Sequence, residues 1–226
     1  CLESIIKSLD EKSQITNYKS QTNSKLKILN SKVKAKKSSN APALGLSLSP
    51  INTEIIVVDN NSQDDSVEML ENLKSKTENL KLKIIVNSQN LGFAKANNIG
   101  IKKSRGEYLL FLNPDTIVPP GTIPFMLDFM KKNPGVGVAT CRVELSDGSL
   151  DEACHRGFPT PWNAFCHFSG LEKLLPHSRL FAGYYLSYLN LNTTHEIDSC
   201  VGAFMLVPRH VGEKIGWWDE DYFWYG

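Results

Sequence analysis

Residues 54–62 of the chain read EIIVVDNNS. The four apolar residues of this stretch are all β-branched, which is typical of a strand that is buried on both faces of a sheet. The acidic residue Asp59 closes the strand, and a polar turn follows it. Ser62 followed by Asp65 resembles a capping box and predicts a helix that continues through Leu73.

The alternation of strand and helix continues along the chain. Further strands are predicted at residues 83–86, 108–112 and 136–143, and further helices at residues 92–104 and 123–132. This order indicates an α/β fold with a mostly parallel, doubly wound sheet. Right-handed crossovers bring the carboxyl ends of parallel strands to one edge of such a sheet, and ligands bind at that edge.

Length and composition limit the class of protein. With 226 residues, of which 41% are hydrophobic, one sizeable core is expected, so residues 1–226 are predicted to form a single domain. The 25 basic and 24 acidic residues leave a formal net charge of +1, which excludes a chain-wide field that attracts nucleic acid. The five cysteines form no CxxC pair, which favours a reducing compartment.

Residues 10–50 differ from the rest of the chain in composition. They are rich in Lys, Ser, Asn and Gln, which predicts a polar, low-complexity insertion that stays solvated. An alternative is that residues 25–37, KLKILNSKVKAKK, form a basic amphipathic helix that makes a peripheral contact with a membrane. Before the insertion, the apolar spacing of residues 1–9 predicts the end of a helix.

Two of the predicted strands end in polar clusters, at residues 59–62 and 113–116. A carboxylate at either position, Asp59 or Asp115, can accept hydrogen bonds from a ribose or a base, or it can hold a divalent cation. The alternative is that Asp and Asn only cap turns there. Two clusters on neighbouring strand ends, joined by a helix that carries Asn97 and Asn98, favour a ligand site.

Five motifs, taken in order, resemble those of family 2 glycosyltransferases, and most closely the rhamnosyltransferase-like branch. The resemblance covers residues 55–226 almost continuously and implies a GT-A fold, in which a sugar passes from a nucleoside-diphosphate sugar to a hydroxyl acceptor. The insertion at residues 10–50 departs from the short connection that is usual in the family. The motifs are VVDNNSQDDS (57–66), NLGFAKANNIGI (90–101), GEYLLFLNPDT (106–116), VGAFMLVPR (201–209) and GWWDEDYFWYG (216–226).

The resemblance assigns a nucleotide-binding group. Asp59 matches the family residue that contacts the nucleoside. Asn61, Gly92 and Asn97 would line the same pocket, and Gly92 would let the backbone approach the ligand closely.

The resemblance also assigns a metal ligand. Residues 113–115 match the DxD motif of the family, but the first acidic residue is replaced by Asn113, which joins the nucleotide-binding group. Asp115 is therefore the expected ligand of Mg²⁺ or Mn²⁺. With one carboxylate fewer, the cation is expected to arrive with the diphosphate, whose developing charge it stabilises.

The catalytic base is expected to lie beyond Gly226, because in the family a Glu-Asp pair follows the last of the five motifs. The first strand of the fold is likewise expected before Cys1, so the chain is predicted to be a fragment, truncated at both ends, that is inactive in transfer. Asp219, Glu220 and Asp221 are weaker candidates for the base, since acidic residues commonly form turns in such a loop.

A sugar and acceptor group completes the predicted site. Gly202 and Ala203 lie in the segment that faces the donor sugar and the acceptor in the family, where small residues leave room for a ring. Trp217 and Trp218 offer aromatic faces on which a sugar stacks. The alternatives are a buried strand with a bulge at Gly202, and tryptophans that belong to the core.

The expected function is that of an inverting glycosyltransferase whose acceptor is a cell-envelope glycan or a lipid-linked glycan. The resemblance places this activity on the cytoplasmic side, at the inner face of the plasma membrane. Two alternatives stay open: a non-catalytic fragment that binds a nucleotide sugar, and a sugar nucleotidyltransferase. The second would need a basic, Gly-rich phosphate loop after its first strand.

Overall fold

The computed structural model describes residues 52–76 and 81–223. The predicted insertion at residues 10–50, the predicted helix at residues 1–9 and the end of the last motif lie outside the described residues. The strands are β1 (Glu54–Asp59), β2 (Lys81–Val86), β3 (Tyr108–Leu112) and β4 (Phe204–Pro208). The helices are α1 (Ser66–Lys76), α2 (Phe93–Lys103), α3 (Thr122–Lys132), α4 (Pro161–Phe168), α5 (Leu171–Leu174) and α6 (Arg209–Ile215), with a 3₁₀ turn at Glu152–Cys154.

The strands β1 and β2 form a parallel pair. Their register runs from Glu54 opposite Lys81 to Asp59 opposite Val86. The helix α2 packs on β1, and a Cβ atom at Gly100 of this helix would stand 3.3 Å from Cγ2 of Val58. A parallel pair joined through a helix and covered by the next helix is the α/β arrangement that the sequence predicts.

The strands β3 and β4 form a second pair. At one end the amide of Asn113 donates to the carbonyl of Ala203 at 3.2 Å, and at the other the amide of Arg209 donates to the carbonyl of Glu107 at 2.8 Å. The residue numbers rise along β3 while those of their partners fall along β4, so this pair is antiparallel. The strands of the described residues thus form one parallel and one antiparallel pair.

The strand predicted at residues 136–143 is wrong. The structure has a single bridge there, in which Ala139 exchanges hydrogen bonds of 2.9 and 2.8 Å with Leu206. The hydroxyl of Thr140 donates to the carbonyl of Phe204 at 2.7 Å. Next to the bridge, the side chain of Thr140 rather than its backbone therefore bonds to β4, and the pairing does not extend into a strand.

The capping box predicted at Ser62 is also wrong, because α1 begins four residues later, at Ser66. The amide of Ser62 donates to the Asp59 carboxylate, so this residue belongs to the turn after β1. At the start of α1 the amide of Ser66 donates to the carboxylate of Asp64 at 3.1 Å. An acidic residue of the loop therefore satisfies the first turn of the helix.

The described residues fall into two compact units. The β1–β2 unit comprises residues 52–76, 81–109 and 207–223, and the α3–α5 unit comprises residues 110–206. Each has buried apolar side chains of its own, among them Leu70, Leu82, Ala94 and Ile101 in the first and Val118, Met126, Met130 and Cys166 in the second. The predicted single domain stays a prediction.

Over the described residues, no helix combines the length and the apolar character needed to cross a membrane.

Candidate functional site

The turn after β1 is shaped by Asp59, the last residue of the strand. This residue is 7% exposed, and its Oδ2 atom accepts a hydrogen bond from the amide of Ser62 at 3.0 Å. Its carbonyl accepts from the amide of Asn87, just after β2, at 2.9 Å. The predicted nucleoside-contacting carboxylate therefore lies at the carboxyl end of the parallel pair.

Asn60 joins the loop after β1 to the loop after β2. Its Oδ1 atom accepts from Nδ2 of Asn87 at 3.0 Å and from the amide of Leu91 at 3.2 Å. Its Nδ2 atom donates to Oδ1 of Asn90 at 3.0 Å and to the carbonyl of Gly92 at 3.1 Å. Sequence reasoning missed Asn60 and Asn90, which fix the two loops against each other.

The neighbouring Asn61, a predicted nucleotide-binding residue, is exposed and has a left-handed backbone with φ of 68°. Asn tolerates this region better than most residues do. Its carbonyl accepts a hydrogen bond from Nε2 of Gln63 at 3.0 Å. Its part in nucleotide binding stays a prediction.

Gly92 precedes α2 and lies against the chain itself. Its backbone has φ of 83° and ψ of 171°, a region that is essentially restricted to glycine. A Cβ atom there would stand 2.6 Å from the carbonyl oxygen of Phe223. The same oxygen accepts from the amide of Phe93 at 2.8 Å, and amides at a helix N-terminus are ordinarily available to anions. The close approach of Phe223 therefore requires glycine at this position whether or not a ligand is bound.

On α2 the linking residue is Asn98 rather than Asn97. Nδ2 of Asn98 donates to the carbonyl of Trp218 and to Oε1 of Glu220, both at 2.9 Å. Its Oδ1 atom accepts from the amide of Trp218 at 3.3 Å. Asn97 bonds within its own helix, since its Nδ2 atom donates to the carbonyl of Phe93 at 2.9 Å. A buried amide thus holds the loop at residues 217–221 on the helix.

Both predicted sugar-stacking tryptophans make contacts within the β1–β2 unit. The ring of Trp217 lies so close to Gly212 of α6 that a Cβ atom there would stand 2.1 Å from it. The ring of Trp218 meets Phe93 edge to face, with centroids 5.0 Å apart. Both side chains are partly exposed. Their contacts agree with the core alternative, and sugar stacking stays a prediction.

The three weaker candidates for the base lie in the same loop. The carboxylate of Glu220 accepts the hydrogen bond from Asn98, and Oδ1 of Asp219 accepts from the amide of Asp221 at 3.0 Å. Two of the three carboxylates therefore stabilise the loop. This agrees with the expectation that acidic residues form a turn here.

In the α3–α5 unit the structure brings Asn113 and Ala203 together. Besides the Asn113 amide that donates to Ala203, the hydroxyl of Thr116 donates to the carbonyl of Asn113 and reaches that of Ala203 at 3.5 Å. The amide of Thr116 also donates to the carbonyl of Asn113 at 3.3 Å, which closes a turn with Pro114 and Asp115 at its tip. The predicted metal motif thus adjoins the predicted sugar-facing segment.

Asp115 is exposed at the tip of that turn. Over residues 52–76 and 81–223, no group of three or more His, Cys, Asp or Glu side chains is arranged to hold a metal ion. One exposed carboxylate does fit Mg²⁺ that is held mainly by phosphate and water, because this ion usually binds proteins through one or two carboxylates. The donor set therefore fits a cation that comes with a diphosphate.

Three of the described cysteines are poor nucleophiles. Burial raises the pKa of Cys141 to about 11, and it also raises the pKa of Cys154 and of Cys200. Because the thiolate is the reactive form, these side chains are suited to packing rather than to covalent catalysis.

Comparison with known proteins identifies the family. The Glycosyl transferase family 2 profile matches residues 43–215. The chain therefore belongs to glycosyl transferase family 2. Membership confirms the predicted GT-A α/β fold and the glycosyltransferase class; the rhamnosyltransferase-like branch stays a prediction.

Several relatives share part of their length with this chain. An uncharacterized glycosyltransferase of Haemophilus influenzae is 35% identical over 36% of this chain and 32% of its own length. A poly-beta-1,6-N-acetyl-D-glucosamine synthase of Staphylococcus epidermidis is 25% identical over 78% of this chain and 37% of its own. A dolichol-phosphate mannosyltransferase of Mycosarcoma maydis is 38% identical over 34% and 25%. The chain therefore matches between 25% and 37% of the length of these relatives.

Among solved structures, the crystal structure of S. aureus TarS 1-349 in complex with UDP is similar to part of the chain. The sequences are 25% identical, and the match covers 49% of this chain and 30% of that one with a TM-score of 0.37.

Proposed function

We propose that the chain is the donor-binding part of an inverting glycosyltransferase that moves a hexosyl or rhamnosyl group from a nucleoside-diphosphate sugar to a hydroxyl. The observation that carries this proposal is the carboxyl end of the β1–β2 pair. There Asp59 closes β1, and Asn60 ties the two loops that follow the strands. In open α/β sheets ligands bind outside the carboxyl ends of the strands.

The nucleoside is assigned to the β1–β2 unit. Asp59 would accept hydrogen bonds from the ribose or the base, as carboxylates at strand ends do in nucleotide-binding sheets. Gly92 and Asn61 lie in the two loops that Asn60 ties, and Asn97 lies one turn into α2. Membership of the family supports this assignment.

The diphosphate and its cation are assigned to the turn at residues 113–116. Asp115 would hold Mg²⁺ or Mn²⁺, which acts as a Lewis acid on the leaving diphosphate when it is bound. Asn113 fixes this turn against Ala203 through its backbone amide. Gly202 and Ala203 would leave room for the sugar ring, because neither has a side chain larger than a methyl group.

In an inverting transfer the acceptor hydroxyl attacks the anomeric carbon from the face opposite the leaving group. A carboxylate within hydrogen-bond reach of that hydroxyl takes its proton. In the loop at residues 217–221, Asp219 accepts a hydrogen bond from the amide of Asp221, and Glu220 accepts one from Asn98 of α2. We therefore assign the base to neither of these two residues.

The acceptor is proposed to be a cell-envelope or lipid-linked glycan, used at the cytoplasmic face of the plasma membrane. The names of two relatives support this: one is a poly-beta-1,6-N-acetyl-D-glucosamine synthase and the other a dolichol-phosphate mannosyltransferase. The absence of a CxxC pair among the cysteines supports a reducing compartment.

Calorimetric titration of the chain with UDP-, dTDP- and GDP-sugars, with and without Mg²⁺ or Mn²⁺, tests the proposal. We expect the sugars of one of the three nucleotides to bind, and we expect the cation to strengthen that binding. Asp59→Asn should weaken binding about tenfold or more with and without the cation, since it removes the charge of a strand-end carboxylate. Asp115→Asn should remove only the gain that the cation gives.

Asp147→Asn provides the matched control, because Asp147 is an exposed turn carboxylate of the same unit as Asp115. It should bind like the parent chain. If no nucleotide sugar binds, or if Asp59→Asn and Asp147→Asn bind equally well, the donor site is not where we propose it.

A further inference from the structure

An apolar surface lies on the segment at residues 158–181, which the proposed donor site does not use. Within it, the large apolar side chains of α4, α5 and the loop after them that are at least 45% exposed are Phe168 (82%), Leu174 (74%), Leu180 (60%), Phe165 (56%) and Trp162 (45%). We call these five side chains the α4–α5 surface. Exposed apolar clusters of this kind mark binding surfaces.

The aromatic members of the α4–α5 surface lie on one side of α4. Trp162, Phe165 and Phe168 are spaced by three residues, which places them along one stripe of a helix. The rings of Trp162 and Phe165 have centroids 5.8 Å apart. Cys166 of the same helix is fully buried, so this helix has one side in the protein and an aromatic side facing outward.

The polar atom of Trp162 is already satisfied within the protein. Its Nε1 atom donates to the carbonyl of Leu180 at 2.7 Å, which also brings Leu180 beside α4. A tryptophan whose N–H is paired in this way can leave water without the cost of an unpaired donor. The ring is therefore prepared for an apolar environment.

The acidic side chain of the segment is turned inward. Glu172 is the single Asp or Glu between residues 158 and 181, and it is 4% exposed. Its Oε2 atom pairs with Nδ1 of His167 at 3.0 Å, and its Oε1 atom accepts from the amide of Tyr185 at 2.8 Å. Lys173 and Arg179, in contrast, are exposed. Within residues 158–181 the exposed Lys and Arg side chains therefore have no exposed acidic counterpart.

We propose that the α4–α5 surface docks the chain on an anionic lipid bilayer. Aromatic and leucine side chains would enter the boundary between headgroups and acyl chains, and Lys173 and Arg179 would lie among the anionic headgroups. A bilayer suits an exposed apolar stripe that adjoins basic side chains, because acyl chains accommodate the apolar groups and anionic headgroups attract the charges.

Vesicle sedimentation of the 226-residue chain tests this assignment. The probes are vesicles of phosphatidylcholine alone and vesicles of phosphatidylcholine mixed with phosphatidylglycerol. We expect preferential binding to the anionic vesicles, and Phe165→Ser combined with Phe168→Ser should lower the partition coefficient about tenfold or more. Lys173→Gln combined with Arg179→Gln should lower binding to the anionic vesicles alone, by about fivefold for each charge.

The matched control is Phe125→Ser, which removes a 50% exposed aromatic ring from α3 of the same unit. It should bind vesicles like the parent chain, and far-ultraviolet circular dichroism should show that all variants fold. Failure of the parent chain to bind anionic vesicles would overturn the proposal. Equal binding by the Phe165→Ser/Phe168→Ser variant would also overturn it, as would a dimer in light scattering that this variant alone abolishes.

Vesicle binding and nucleotide-sugar binding are measured independently, so either one can be absent while the other is present. Vesicle sedimentation needs no nucleotide sugar, and nucleotide titration needs no lipid. A chain that binds vesicles without binding nucleotide would leave the α4–α5 surface standing and overturn the donor site.

Discussion

Gly92 has a backbone conformation that other residues adopt only at a cost. Replacing it with alanine adds a Cβ atom 2.6 Å from the carbonyl of Phe223 and forces an alanine to φ of 83°. We expect Gly92→Ala to lower the free energy of unfolding by about 1–3 kcal/mol. Urea denaturation measures the change.

The control for that substitution is Gly135→Ala, since a Cβ atom at Gly135 would meet nothing within 4 Å. It should leave the free energy of unfolding unchanged or slightly raised, because alanine restricts the unfolded chain. Equal stability of the two variants would show that Phe223 does not constrain Gly92.

Cys141 offers a second prediction at the scale of one residue. Burial raises the pKa of its thiol from 9.0 to about 11, so its thiolate fraction at mildly alkaline pH should fall about a hundredfold. We expect iodoacetamide to modify Cys141 correspondingly slowly in the folded chain and quickly after unfolding in urea. Peptide mass spectrometry follows each cysteine separately. Equal rates in the two states would contradict the assigned burial.

Adjacent asparagines show what a single sequence conveys about the site. In each of two pairs, Asn60 with Asn61 and Asn97 with Asn98, the predicted nucleotide-binding residue is the neighbour of the one that makes the linking hydrogen bonds, and its part in binding stays a prediction. Both members of a pair have the same chemistry, and the choice depends on which one faces inward. That direction is set by the packing of α2 and of the loop after β2, which composition and spacing do not contain.

At the scale of elements, substitutions of Asn97 and Asn98 test how α2 holds the loop at residues 217–221. Asn98→Ala removes hydrogen bonds to Trp218 and Glu220, which should cost about 1–3 kcal/mol of unfolding free energy because the remaining partners lose a buried bond. Asn97→Ala should change it by about 0.5 kcal/mol or less.

Hydrogen exchange at residues 217–221 distinguishes loss of this anchor from general destabilisation. In Asn98→Ala these amides should exchange faster while those of α2 stay protected. Faster exchange in Asn97→Ala alone would reverse the assignment.

The pairing of β1 with β2 has a pH dependence that involves Glu54. Burial acts to raise the pKa of Glu54, but hydrogen bonds from Lys83 and from the amide of Arg105 outweigh it, so the pKa lies below its usual 4.5. A carboxylate with a lowered pKa contributes stability above pH 4.5, and this contribution is lost as the pH falls through the lowered value.

The parent chain should therefore be more stable than Glu54→Gln near neutral pH, and the difference should vanish in acid. Lys83 is 43% exposed, so solvent screening limits the difference to about 1 kcal/mol or less. Denaturation curves at a series of pH values measure it. Glu196→Gln, which changes an exposed carboxylate in a loop, should show no comparable trend.

The elements differ in how well sequence alone predicts them. The bounds of β1 and β3 are as predicted, and α2 and α3 each agree to within one residue at both ends. These are segments whose own apolar pattern matches the element they form. The helices α4, α5 and α6 were not predicted, and the strand β4 at residues 204–208 was predicted only as the alternative of a buried strand near Gly202. Short elements of this kind depend on tertiary partners such as Glu172 and Ala139.

At the scale of the whole molecule, a bound donor should stabilise the chain. A ligand that binds only the folded state at about 100 times its Kd adds about 2.7 kcal/mol to the free energy of unfolding. For a chain of this length that corresponds to a rise of about 5–10 °C in the midpoint of thermal unfolding. Scanning calorimetry with the nucleotide sugar preferred in titration measures the shift, and the same shift in Asp59→Asn would contradict the proposed nucleoside contact.

The hydrogen bond from the amide of Ser62 to the carboxylate of Asp59 also bears on chemical ageing. Asparagine deamidates when the backbone nitrogen of the following residue loses its proton and attacks the side-chain amide, and Asn61 precedes Ser62. An adjacent carboxylate that accepts the Ser62 N–H holds the proton on that nitrogen. Asn61, although exposed, should therefore keep its amide through prolonged storage, and a chain that lacks the Asp59 carboxylate should slowly acquire an extra negative charge in this loop.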